Sequence, residues 1–195
     1  MSTPFVLPQV HPQNWPGKSG ASFKPIHSQM KPGPGTQQLP LVSWSYAAGP
    51  MAAFISSGWL EKNKKTVEEI HQESLRNLEA QPCKHQVVDL SQEGGEKVLL
   101  GMVELARSQN PHHIAAADHI LNRRAMLALQ QGLGAEPMVV AIPYAEVLFA
   151  ANTSLVQSGA FLNLASKAPP EGSEALTSIV FLIQNGEVVG KVNYG

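Results

Sequence analysis

The chain has 195 residues, of which 43% are apolar and 15% are charged. This length and composition suit one globular domain with a buried core. The 14 basic and 15 acidic side chains give a net charge of −1, so electrostatics does not favour nucleic acid or an anionic membrane as a partner. The single cysteine, Cys83, excludes an internal disulfide and a cysteine-based zinc site.

No segment of the sequence predicts a membrane span or a secretory signal. The longest apolar stretch, Met138 to Ala151, is interrupted by Pro143 and Glu146 and is shorter than the roughly 20 residues that a spanning helix needs. The first residues lack the basic and apolar regions of a signal peptide. We therefore expect a cytoplasmic protein with no membrane partner.

Residues 1–38 are predicted to form a proline-rich leader that is either flexible or docked on the domain. Eight of the 15 prolines lie in residues 1–40, and each proline fixes φ and removes a backbone donor. The flexible alternative predicts that deletion of residues 1–38 costs little stability. The docked alternative depends on apolar side chains that would gain about 1.5–3 kcal/mol each on burial: Phe5, Val6, Leu7 and Trp15.

Residues 39–195 are interpreted as a single α+β domain that begins with short strands. Apolar runs on either side of an Ala–Gly–Pro turn predict strands at 41–44 and 51–55. A further strand is predicted at 86–90, followed by a Gly–Gly hairpin turn. Residues 97–105 fit a strand and a helical face almost equally, and we interpret them as the partner strand.

Two main helices are predicted. Thr66 and Glu69 have the spacing of a capping box, so the first helix begins after Thr66, and Pro82 ends it. The second helix is predicted from about His112 to Gln131, with Gly132 and Gly134 as its stop. Its long side chains are expected to lie opposite the apolar face: Asn122, Arg123 and Gln130.

The last third of the chain predicts the centre and one end of a sheet. The apolar run 138–142 is typical of a strand that is covered on both faces. A strand at 147–151 and a short helix at 154–166 follow. Asn185-Gly186 joins 177–184 to 187–194 as a hairpin, because Asn-Gly accepts positive φ at both turn positions. The predicted fold class is α+β, with a mixed, mostly antiparallel sheet, two main helices and a C-terminal β-hairpin.

The group His112, His113, Asp118 and His119 has the residue types of a metal site but not the spacing. On a helix, His112 and His119 would be roughly 10 Å apart along the axis, and His113 and Asp118 would diverge by about 140°. We therefore expect a solvated helix start, with no metal site and no cofactor. Cys83 has neighbouring basic side chains that could favour a thiolate, but it lacks an orienting partner and is interpreted as inert. No catalytic residue is predicted.

Tyr144 and Glu146 are the candidate ligand-binding residues. They follow the predicted central strand, and ligands of open α/β sheets bind beyond the carboxyl ends of the strands. Tyr144 offers a hydroxyl and an aromatic face, and Glu146 offers a carboxylate. The alternative is that Pro143 ends the strand and Glu146 only solvates a tight connection.

The order of these elements resembles a family of bacterial proteins of unknown function, DUF1444 (UPF0354), over roughly residues 40–192. Ala116 departs from the pattern, which has an acid at that place, and the leader replaces a longer N-terminal region. The resemblance implies a cytosolic α+β protein without an assigned activity. It is carried by three stretches: Trp59-Leu60-Glu61-Lys62 with the helix that ends in Asn77-Leu78, the segments 116–121 and 138–152, and the hairpin at Asn185-Gly186.

Three functions follow from these observations. The leading hypothesis is a non-enzymatic binding or interaction domain for a protein or a small molecule, because no catalytic groups converge. The first alternative is a metal-dependent or carboxylate-assisted hydrolase that uses Glu146 with Tyr144 or the histidines. The second is a structural subunit that forms a homodimer through an edge strand of the terminal hairpin.

Overall fold

A computed structural model describes residues 5–15, 27–30, 39–48, 51–91, 99–104, 114–134, 136–153, 155, 159–173 and 175–192. Within these ranges the chain has an α+β fold of helices and two antiparallel sheets, which confirms the predicted class. The predicted turn residues 49–50 and 94–95, together with His112 and His113, lie outside the described residues.

The first sheet, sheet A, has four strands in the order β1-β3-β2, with β4 also paired to β3. All of its pairings are antiparallel. The two strands predicted in this region are confirmed, and β3 extends further than the sequence indicated. The strands are β1 (Val6–His11), β2 (His27–Gln29), β3 (Leu41–Ala48) and β4 (Met51–Phe54).

The second sheet, sheet B, has six strands in the order β10-β9-β7-β8-β6-β5. Strand β7 is central and fully buried, because alternate side chains face two different apolar clusters. The strand interpretation of residues 97–105 is confirmed by β6. The strands are β5 (Lys84–Asp89), β6 (Leu99–Glu104), β7 (Met138–Ala141), β8 (Phe149–Asn152), β9 (Val180–Gln184) and β10 (Glu187–Lys191).

Helices pack against both faces of sheet B. The main core lies between sheet A, the longer helices and one face of sheet B, whereas Phe161 covers the other face of sheet B. None of the helices in the described ranges has the length and apolar character needed to cross a bilayer. The helices are α1 (Ser57–Asn63), α2 (Val67–Glu79), a 3₁₀ helix (Ala116–Leu121), α3 (Arg123–Leu133) and α4 (Ala160–Ala165).

Helix α2 begins with the predicted capping box. The Glu69 carboxylate accepts a hydrogen bond from the Thr66 amide at 2.7 Å, and the Thr66 hydroxyl accepts one from the Glu69 amide at 3.2 Å. The bond from the Thr66 amide lowers the pKa of Glu69, because it favours the charged form. Short-range signals of this kind are enough to fix where this helix starts.

The prediction of one continuous second helix is wrong, because the described residues form a 3₁₀ helix followed by α3. The 3₁₀ helix ends at Leu121, and Asn122 takes an extended conformation with φ −87° and ψ 95°. Its side-chain oxygen accepts from the Ala125 amide at 3.0 Å and caps α3. Asn122 and Gln130 were expected on the solvated face but are both buried. Gly134 ends α3 at φ 60°, as predicted, whereas Gly132, the other predicted stop, lies inside the helix.

The flexible alternative for residues 1–38 does not hold for Val6–His11, which form β1. This strand pairs with β3 over six residues, from Val6 opposite Tyr46 to His11 opposite Leu41. Val6, Leu7 and Val10 are buried in the core. The described residues of this segment therefore contribute strands to sheet A.

The terminal hairpin is confirmed as β9 and β10, with Asn185 at φ 53° and Gly186 at φ 75° in the turn. We expect Gly186→Ala to destabilise the domain more than Gly172→Ala, although both glycines have positive φ. A Cβ at Gly186 would lie 2.7 Å from the Arg123 carbonyl oxygen, whereas a Cβ at Gly172 meets no atom within 4 Å. Backbone strain costs about 1–2 kcal/mol at either site, and the steric overlap adds about 1–3 kcal/mol at Gly186.

Urea unfolding of the two glycine variants measures this difference. Equal losses would show that the turn does not pack against α3 as described.

Candidate ligand-binding cavity

A cavity of about 650 Å³ lies between α2, sheet A, the 3₁₀ helix and the start of β10. The buried side chains of its lining are apolar, whereas seven of its 16 lining residues are polar or charged and most of these are exposed. The volume is within the roughly 300–1,000 Å³ of typical small-molecule sites. The apolar lining includes Met30, Val42, Trp44, Leu75, Ile120 and Val188.

The periodicity of α2 explains how one helix serves both the core and the cavity. Ile70, Ser74 and Leu78 are buried, while Leu75 and His71, at neighbouring positions around the helix, are half-buried and line the cavity. Because α2 has 13 residues, its cavity wall is roughly 20 Å long at about 1.5 Å per residue. The cavity is therefore an elongated groove that follows this helix.

The opposite wall is the turn of the terminal hairpin, which α3 holds in place. Gly186 donates its amide to the Gln130 side-chain oxygen at 2.7 Å, and this bond is buried. Arg123 forms an ion pair with Glu187 at 3.2 Å on the surface above it. The wall therefore depends on a glutamine that the sequence placed on the solvated face.

Trp44 brings an unpaired donor to this apolar wall. The side chain is 1% exposed, and its indole Nε1 has no hydrogen-bond partner among the described residues. The His71 ring packs edge-to-face against the indole, with ring centroids 5.9 Å apart. A buried donor without a partner costs about 1–3 kcal/mol. Trp44 is a lining residue of the cavity, but neighbouring atoms cover its Nε1 in this conformation.

Asp118 and His119 are not part of a solvated helix start, and that expectation is wrong. Asp118 is 2% exposed, and its two oxygens accept from the Val10 amide at 2.7 Å and the Ala115 amide at 2.8 Å. Burial raises the pKa of Asp118 to about 7, against the two hydrogen bonds that lower it. This carboxyl joins β1 to the 3₁₀ helix.

His119 and Asn122 form the second half of the same buried polar group. The Asn122 amide nitrogen donates to the Leu78 carbonyl at 3.0 Å and lies 3.3 Å from Nδ1 of His119. Because the other end of the Asn122 amide caps α3, this nitrogen faces His119 as a donor, and Nδ1 is the acceptor. Burial lowers the pKa of His119 to about 4, so the ring is neutral near pH 7.

This buried group joins chain segments and offers no open position to a substrate. Among the residues that the structure describes, no cluster of three or more His, Cys, Asp or Glu side chains could hold a metal ion. Cys83 is half-buried, and burial raises the pKa of its thiol to about 11, which disfavours the thiolate.

Tyr144 and Glu146 lie away from the cavity. Met138 pairs with Ile183 and Ala141 with Val180, so the hairpin turn lies beyond the start of β7 and Tyr144 beyond its end. Tyr144 is half-buried and forms an isolated bridge with Ala175, whereas Glu146 is exposed. The structure does not bring these two candidates together with the groove along α2, and their role in binding stays a prediction.

No family model, curated protein or solved structure matches the chain. The resemblance to the DUF1444 family therefore stays a prediction.

Proposed function

We propose that this domain binds a small, mainly apolar molecule in the groove along α2 and does not transform it chemically. The observation that carries the proposal is the cavity of about 650 Å³ with an apolar lining and a polar rim. Apolar lining with a few placed polar groups is the usual composition of such sites. Burial of the ligand's apolar surface would supply most of the binding free energy.

The two alternatives from the sequence have weaker support. A carboxylate-assisted hydrolase would need Glu146 beside a second group, and its exposed carboxylate is at the far end of β7 from the groove. Dimerisation through β10 would use an edge strand of sheet B, but β10 has an irregular register between Val188 and Gly190. Bulged edges oppose further pairing. The proposal includes a cytoplasmic location, and it predicts that light scattering gives the mass of a monomer.

Binding of 1-anilinonaphthalene-8-sulfonate, a fluorophore that brightens in apolar sites, tests the proposal. We expect saturable binding with one site per chain. Leu75→Trp should weaken it about tenfold or more, equivalent to ~1.4 kcal/mol, because the larger side chain fills the groove that Leu75 lines. Leu90→Trp is the matched control, since Leu90 is half-exposed and is not part of the lining.

Both tryptophan variants should retain the wild-type circular dichroism spectrum. Non-saturable fluorescence, or an equal loss of binding in the two variants, would contradict the proposal.

A further inference from the structure

We infer that the ligand of this groove is an uncharged molecule with a hydrogen-bond acceptor, such as a carbonyl or ether oxygen, that pairs with the indole N–H of Trp44. The inference rests on the proposed function and adds the chemical class of the ligand. Trp44 lines the groove, and its Nε1 has no hydrogen-bond partner among the described residues. Buried donors in folded proteins are nearly always paired, so an unpaired one on a side chain that lines a groove favours a ligand that supplies the acceptor.

The position of Trp44 follows from the strand that carries it. Side chains two residues apart on β3 share a face, so Val42 and Trp44 both point towards α2. Trp44 has no room to turn away, because it is 1% exposed and packs against His71. The indole is thus held rigidly in the wall, which suits a group that orients a ligand.

Solvent does not reach Nε1 in this conformation. An acceptor reaches it only if a neighbouring side chain moves, and Leu75 and His71 are half-buried side chains of the groove wall. Rotamer changes of partly exposed side chains take picoseconds to nanoseconds. Binding at Nε1 therefore requires a side-chain rearrangement in the groove wall.

The charges on the rim argue for an uncharged ligand. Three acids and two bases line the groove, so their charges nearly cancel. The Arg123–Glu187 pair is exposed on both sides, and Glu68 accepts a hydrogen bond from Gln72 at 3.0 Å. Exposed charges of this kind are screened by water and contribute little to affinity. Recognition then depends on apolar contact and on the buried donor.

Two probes of the same shape test the inference. 4-Phenylbutan-2-one has a carbonyl group where isopentylbenzene has a CH–CH₃ group, so the two differ in the acceptor and not in size. Each is titrated against wild type and Trp44→Phe by displacement of the fluorophore. We expect Trp44→Phe to weaken the ketone about tenfold, as the loss of one hydrogen bond predicts. The hydrocarbon should change less than about twofold.

An NMR titration makes the test independent of that variant. The chain has three tryptophans, and their indole N–H signals are assigned from Trp15→Phe and Trp59→Phe. The Trp44 signal should shift downfield with the ketone and not with the hydrocarbon. Equal effects of Trp44→Phe on both probes, an unshifted Trp44 signal, or tighter binding of 4-phenylbutyrate than of the ketone would overturn the inferred class. Even then, the groove would still be supported as a binding site if the fluorophore bound saturably and Leu75→Trp blocked that binding.

Discussion

Deletion of residues 1–11 is expected to abolish cooperative unfolding of the domain. The deletion removes β1 with three buried side chains, Val6, Leu7 and Val10, and each contributes about 1.5–3 kcal/mol by burial. It also removes the Val10 amide from Asp118 and the Val6 carbonyl that accepts from Asn77 at 2.9 Å. These losses are comparable to the roughly 5–15 kcal/mol that stabilises a whole domain. Urea unfolding followed by circular dichroism measures the effect.

Point substitutions in β1 measure how much individual side chains of the strand contribute to stability. Val6→Ala should lower the free energy of unfolding by about 2 kcal/mol, since two buried methyl groups are lost from a fully buried side chain. Gln9→Ala is the control, because Gln9 is half-buried on the same strand and should change stability by less than about 0.5 kcal/mol. If the deletion left the unfolding midpoint where it is in the full chain, β1 would not belong to the core.

The docking of β1 was not decidable from the sequence because proline content describes local preference, and the strand depends on a distant partner. Pro8 lies in β1 opposite Trp44. Proline cannot donate to a ladder, but it is tolerated where the missing N–H would face outward, and β1 is at the edge of sheet A. The composition therefore indicated the absence of long elements and could not exclude a six-residue strand.

For the helices too, features that depend on neighbouring residues could be predicted from the sequence, and those that depend on distant residues could not. The start of α2 was predicted because Thr66 and Glu69 are three residues apart and hydrogen-bond each other. The break at Asn122 was missed because the apolar spacing continues across it. An asparagine before the helix-forming segment is itself an N-cap signal that could have located the break. The burial of Gln130 had no such signal, since its partner Gly186 is 56 positions away.

The groove could not be predicted from the sequence, because its walls come from segments that are distant along the chain. Met30, α2, the 3₁₀ helix and the hairpin turn meet only in the folded chain. The prediction of Tyr144 and Glu146 depends on a rule for open α/β sheets, in which the carboxyl ends of parallel strands meet at one edge. Sheet B is antiparallel throughout its pairings, so that rule does not apply to it. Only the alternation of Val42 and Trp44 was available as a local signal for the groove.

The buried pair Asp118 and His119 is expected to give opposite pH dependences of stability when one member is replaced. Burial raises the pKa of Asp118 from 3.8 to about 7 and lowers the pKa of His119 from 6.5 to about 4. Between about pH 4 and 6.5 the folded chain holds a proton on Asp118, and the unfolded chain holds one on His119. Asp118 alone therefore makes stability fall as pH rises, and His119 alone makes it rise. Because the proton counts are equal, the two contributions cancel in the wild type.

When either residue is replaced, the pH dependence of the free energy of unfolding that the other residue causes is no longer cancelled. In Asp118→Asn the free energy of unfolding, relative to wild type, should rise with pH by about 1.4 kcal/mol per unit between pH 4 and 6.5. This rise starts from a baseline loss of about 2 kcal/mol, because the amide places a donor against a backbone N–H. In His119→Gln the free energy of unfolding, relative to wild type, should fall with pH at the same rate. The glutamine side-chain oxygen keeps an acceptor for the Asn122 amide. Urea unfolding at several pH values gives both slopes, and the double variant should again run parallel to wild type. Single variants that run parallel to wild type would contradict the placement of the proton on Asp118 in the folded chain.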